Sequence, residues 1–279
     1  MADSRRTVIA LWPAKEAAVG NGKVLRALPR RELRRVGPFV FCDSFGPHPP
    51  DGMAVPPHPH VGLQTVTYLF SGAIRHADSI GSVQVIRPGE VNWMTAGRAI
   101  VHAERGLAEG GPIQGLQTWV GLPQAQRKME PAFTHVGREA IPLIASESGR
   151  VRVLAGRIGE AVSPTPTFQP LTYLDVEIDA GGEVTVPVEA EHELAAFSAI
   201  GDAEIGGTLV ASGVLAHLSR SETTLTIKSA AGARCMVLGG TPLPEPTVIW
   251  WNFIVDSVDE GKARHSDWIG ERFPKLPGD

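Results

Sequence analysis

Residues His58 to Glu104 read HPHVGLQTVTYLFSGAIRHADSIGSVQVIRPGEVNWMTAGRAIVHAE. Within them, Leu63 to Phe70 joins β-branched, aromatic and apolar side chains in one short run, and Ser71-Gly72 closes it with turn chemistry. Ser82 to Ile86 is a second short strand, ended by Pro88-Gly89, and Ala96-Gly97 marks a further turn. The same rhythm continues through Gln117–Leu122, Val151–Ala155, Leu171–Ile178, Glu183–Val188 and Leu194–Ile200. Ala180-Gly181-Gly182, Gly201-Asp202, Gly206-Gly207 and Ala231-Gly232 supply the turns. The chain's 31 glycines and 23 prolines are spread rather than clustered, which breaks helices throughout. Strands recurring every ~8–12 residues predict a mainly β chain, folded as a sandwich or barrel. One helix is predicted over Val255–Phe273, weakened by Gly261 and stopped by Pro274.

Composition narrows the function classes. The 279 residues carry 26 Lys+Arg against 30 Asp+Glu, a net charge of −4, so no broad basic field favours nucleic acid. Cys42 and Cys235 are too few for a disulfide framework and are expected to be small buried hydrophobes. No apolar run approaches the ~18 residues of a membrane span, and Val8–Trp12 is shorter than the ~7–15 residues of a signal sequence core. The expectation is a cytoplasmic protein with no membrane partner.

Two fragments carry the chemistry: His58-Pro59-His60 and His102-Ala103-Glu104. Side chains at i and i+2 of a strand share a face, and Pro59 holds His58 in extended backbone. Two such pairs on facing strands would aim three imidazoles and one carboxylate into one cavity. That donor set suits a borderline divalent cation; iron, copper, zinc, nickel and manganese all fit it. His76 and Asp78 read as a strand-surface pair, and Trp93, Trp119, Trp250 and Trp251 as core or interface aromatics. Phe45 and Met94 are placed at the cavity mouth.

The stretch from His58 to Glu104 resembles the pirin family, a branch of the cupin superfamily. Further likeness lies in Phe39–Asp43 (FVFCD), Gln117–Pro123 (QTWVGLP) and Glu245-Pro246. The resemblance implies two tandem cupin-type antiparallel β-barrels (a bicupin) with a short C-terminal helix. It implies a metal-binding domain over 1–135 and a C-terminal cupin-like domain without metal over 136–279. It further implies iron(II), with nickel, zinc, copper, manganese or cobalt as alternatives, held by His58, His60, His102 and Glu104. Gln64 stands where pirins usually carry glutamate, so its part shrinks to hydrogen bonding beside substrate, leaving Glu104 as the catalytic base.

Two functions follow from the likeness. The first is a quercetin 2,3-dioxygenase-type oxygenase that opens flavonol-like substrates with O2. The second is a metal- or redox-responsive binding protein acting on a transcription factor or metabolic enzyme. Arg75, Arg98 and Arg105 would give that partner a charged surface near the metal.

Overall fold

The structure is a computed structural model that describes residues 4–245 and 247–277; Pro246 of the Glu245-Pro246 pair lies outside the described residues. The chain is mainly β and forms two cupin-type barrels with one C-terminal helix, as expected. Its two compact units are not, however, contiguous halves. One comprises 16–24, 40–138 and 243–279; the other comprises 1–15, 25–39 and 139–242. The break between 138 and 139 lies close to the expected one, but both chain ends are exchanged. Non-local pairing is the reason: strand Val8–Pro13 is antiparallel to Val214–Leu218, two hundred residues later.

The unit containing 139–242 packs a seven-stranded sheet over a four-stranded one. The inward positions are aliphatic: Val151, Val153, Leu174, Val176, Leu194, Val237 and their neighbours fill the interior. Cys235 joins this core, and burial pushes its thiol up to about 12, so it is an inert hydrophobe as predicted. Strand Leu171–Ile178 has the bounds read from the sequence, because its apolar run is buried nearly throughout.

The unit containing 40–138 follows the same plan. Its four-stranded sheet is ordered Ala54–His60, Ile100–Gly106, Ile74–Asp78, Val83–Ile86. Its larger sheet includes Leu63–Ser71, Val91–Thr95, Ile113–Gly121 and Phe39–His48. Here apolar clusters such as Phe45, Leu69, Ile74, Ile86 and Ile113 are accompanied by buried polar side chains, among them His60, Thr67, His76, Asp78, His102 and Glu104. Gly62 turns the chain from the first of these sheets to the second at φ +70, where a Cβ would sit 2.1 Å from the Ile254 carbonyl oxygen.

The helix α1 spans Val258–Ile269, inside the predicted range. Ser257 caps it by accepting from the Glu260 N–H, and the Glu260 carboxylate accepts from the Asp256 N–H. Gly261, which weakens the helix locally, is required by packing: a Cβ there would lie 2.5 Å from Trp250 Cγ.

Candidate metal centre

Strand Ile100–Gly106 is the axis of the site. His102 faces His58 on one neighbouring strand and Asp78 on the other, and Glu104 faces His76. Ala54–His60 lies at the sheet edge, as suits a strand whose Pro56, Pro57 and Pro59 cannot donate to a ladder. A register shift between His102 and Glu104 on that side gives Ala54–His60 an extra residue there.

Three of the expected donors, His58, His60 and His102, lie together, and Glu104 groups with His102 and His76. The rings of His58 and His102 are 4.3 Å apart, those of His58 and His60 4.9 Å, and those of His60 and His102 5.0 Å. Two overlapping groups have ligand atoms within 4.8 Å of one another: His58/His60/His102 and His76/His102/Glu104. His102 belongs to both. His76 is the residue that sequence reasoning misplaced: His76 and Asp78 are 2% and 0% exposed, on the inner face of their strand. The cue was present, since His76-Ala77-Asp78 has the same i, i+2 spacing as the other two pairs.

Hydrogen bonds set which ring nitrogens carry protons. A carbonyl oxygen only accepts, so His58 Nδ1 donates to Pro56 O at 2.9 Å and His60 Nδ1 donates to Asn252 O at 3.2 Å. Both rings then carry a lone pair on Nε2. His102 Nε2 is buried with no hydrogen-bond partner among the described residues, an orphan that a metal would satisfy. Burial, and next the neighbouring imidazoles, hold His60 and His102 well below the ordinary histidine range, so both rings stay neutral, as ligation requires. The donor set fits a borderline divalent cation.

A cavity of about 70 Å³ adjoins these rings, lined by Phe41, Asp43, Phe45, Met53, Glu104, Gln117 and Trp119 among others. Trp119 stacks on Phe41 with ring centres 4.0 Å apart and meets the His60 ring edge-on at 5.0 Å. Of the three side chains expected beside substrate, Phe45 lines this cavity, and Gln64 and Met94 lie elsewhere. The pleat explains Gln64: Thr67 points toward Glu104, so Gln64 takes the opposite face, where its amide donates to Thr95 Oγ1 at 2.8 Å. Met94 packs instead with Ala96, Ile100 and Phe133.

On the outer face of the same four-stranded sheet, Arg75 and Arg105 stand directly opposite each other, both exposed. They border a groove of about 760 Å³ that Ala77, Asp78, Ala103, Glu104 and Leu276 also line. Arg98 is engaged elsewhere, with Glu130 at 2.9 Å.

Two barrels, one of them with imidazoles and a carboxylate converging inside it, define a cupin-type protein with a candidate metal centre. The family descriptions "Pirin" and "Pirin C-terminal cupin domain" match residues 21–120 and 173–274, and the chain belongs to the pirin family. It is 40% identical to a pirin-like protein of Caulobacter vibrioides over 96% of this chain and 94% of that one. It is 35% identical to the Pseudomonas aeruginosa protein named "Putative quercetin 2,3-dioxygenase PA1205", over 91% of this chain and 82% of that one. A crystal structure of quercetin 2,3-dioxygenase from Acinetobacter baumannii superposes with a TM-score of 0.92 at 32% identity, covering 98% of this chain and 92% of that one. Among the described residues no helix is long and apolar enough to cross a membrane.

Proposed function

We propose that this protein is a mononuclear iron(II) dioxygenase of the quercetin 2,3-dioxygenase type, with a flavonol-like enol and O2 as substrates. One observation carries the reading: three neutral imidazoles and Glu104 border a single cavity that Phe41, Phe45 and Trp119 also line. The relatives named for quercetin dioxygenation support the choice of reaction. When bound, a divalent cation would supply Lewis acidity to the enol oxygen and open positions for substrate and dioxygen.

The chain's own groups supply the rest. Glu104 Oε1 accepts from Thr67 Oγ1, which orients the carboxylate to take the substrate's hydroxyl proton. Gln64 cannot do this, being uncharged and turned to Thr95. Phe41, Phe45 and Trp119 offer flat apolar surface to a planar ring and exclude water. A cavity of about 70 Å³ is well below the ~300–1,000 Å³ of sites that enclose a drug-sized ligand. Admission of a flavonol therefore requires Val19, Val24 or Met53, which line the cavity, to move aside. Quercetin consumption and carbon monoxide release by iron(II)-reconstituted protein under O2 test the proposal; neither signal above a metal-free control would refute it.

A second reading, a metal-responsive binding protein, is favoured by the facing Arg75 and Arg105. Like charges directly opposite on a ladder repel, and an anionic partner in the adjoining groove would relieve them. Capture of an acidic partner by wild type but not by Arg75→Ala/Arg105→Ala, and only with metal bound, distinguishes this role from turnover.

A further inference from the structure

Behind His102 lies a buried chain of hydrogen bonds that ends on a carboxylate. His102 Nδ1 is 3.4 Å from His76 Nδ1, and His76 Nε2 is 3.0 Å from Asp78 Oδ2. Asp78 Oδ1 accepts the backbone N–H groups of Ile80 at 3.1 Å and Ser82 at 2.9 Å. His76 is held flat against Phe133, ring centres 4.5 Å apart and planes 19° from parallel. We propose that Asp78 and His76 are positioning residues that fix the tautomer of His102, so that its Nε2 lone pair faces the metal. This rests on His102 being a metal ligand.

Proton placement follows link by link. The carboxylate can only accept, so His76 carries its proton on Nε2 and gives it to Asp78. With a single ring proton on His76, its Nδ1 is an acceptor and the facing His102 Nδ1 is the donor. Every proton along the chain points away from the metal, and His102 Nε2 is left bare. The opposite arrangement would leave His102 Nε2–H as a buried donor with nothing to receive it, since that atom has no partner among the described residues. A carboxylate that orients a ligating imidazole is a general device; here a second imidazole is interposed between them.

The sharpest probe is Asp78→Asn. The Ile80 and Ser82 N–H groups hold the amide oxygen of the new side chain, so its NH2 is forced toward His76 Nε2. His76 must then accept there and donate from Nδ1, which obliges His102 to protonate Nε2 and so blocks the ligand atom. The substitution is isosteric and keeps both backbone bonds, so the fold is retained while every tautomer inverts. Zinc and manganese affinities, measured by competition with a chromophoric chelator, should fall about 10–100-fold. His76→Leu should lose as much, and His76→Gln should restore most of it, because its amide can accept from His102 and donate to Asp78 at once. Long-range proton–nitrogen NMR of the metal-free protein should show His102 Nε2 unprotonated in wild type and protonated in Asp78→Asn.

Wild-type affinity and an unprotonated His102 Nε2 in Asp78→Asn would overturn the proposal. If that variant does not fold, His76→Leu against His76→Gln decides: equal affinities refute the relay. His60→Ala separates the two layers of argument. Metal lost in His60→Ala but kept in Asp78→Asn rejects only the relay, whereas metal kept in both rejects the metal centre itself.

Discussion

The Thr67 hydroxyl lies 2.8 Å from Glu104 Oε1 and 2.9 Å from the side-chain Oε1 of Gln117, joining two strands of the larger sheet to the carboxylate of the smaller one. Its one proton is best given to the charged oxygen, which leaves the second carboxylate oxygen for the cavity. Thr67→Val removes the donor and keeps the shape. We expect metal affinity to fall about 10–100-fold, with little change in far-UV dichroism. Unchanged affinity by chelator competition would remove Thr67 from the orienting shell of Glu104.

Where sequence patterns matched burial they were legible. Leu171–Ile178 and Leu63–Ser71 are apolar runs buried by the barrels, and turn residues mark their ends. Strands Ile74–Asp78 and Ile100–Gly106 were harder, because the site inverts their pattern. Their inward positions carry His76, Asp78, His102 and Glu104, while Arg75 and Arg105 face out. An apolar-in, polar-out rule cannot find such a strand. The i, i+2 spacing still found His58, His60, His102 and Glu104, since it depends only on the pleat. It could not find Asp43, Gln117 or Trp119, which reach the cavity through pairing across the larger sheet, nor the pairing of Val8–Pro13 with Val214–Leu218.

Met53 is the side chain at the cavity whose removal tests admission. It is half-buried, lines the cavity and packs against the Phe45 and Ile113 cluster. Met53→Ala should lower stability by about 1–2 kcal/mol and raise kcat/KM for quercetin severalfold, mainly through KM. A fall in kcat/KM would show that Met53 holds substrate rather than obstructs it.

Acid should weaken the metal-free protein before carboxylates titrate. Burial depresses His58, His60 and His102 in the folded state, while the unfolded chain keeps ordinary values near ~6.5. Below that pH the unfolded state binds more protons, so the imidazole contribution is complete above about 6.5 and is lost as pH falls. Each fully shifted imidazole adds a slope of up to ~1.4 kcal/mol per pH unit. Buried His192 and half-buried His217 shift the same way, with desolvation the largest cause in each. Urea midpoints between pH 7.5 and 5.5 should therefore drop for wild type and drop less for His102→Leu. Equal slopes would mean that His102 is not held neutral by the fold.

Arg6 tests the other unit. Its guanidinium is fully buried and spends all five N–H groups on backbone carbonyls: Glu222 at 3.0 Å, His192 at 2.8 Å, Ser219 at 2.7 Å, Glu189 at 2.7 Å and Ala190 at 3.2 Å. No other side chain offers that fan of donors, and lysine concentrates three at one point. Arg6→Met would leave several buried carbonyls unpaired, which costs at least about 3 kcal/mol; Arg6→Lys should recover only part. Tryptophan reports mainly on the metal-centre unit, because Trp93, Trp119, Trp250, Trp251 and Trp268 lie there and only Trp12 lies in the other. In Arg6→Met the far-UV dichroism transition should therefore begin at lower urea than the fluorescence transition, with metal affinity kept within about threefold. A single coincident transition at the wild-type midpoint would show that the five bonds contribute nothing net to folding.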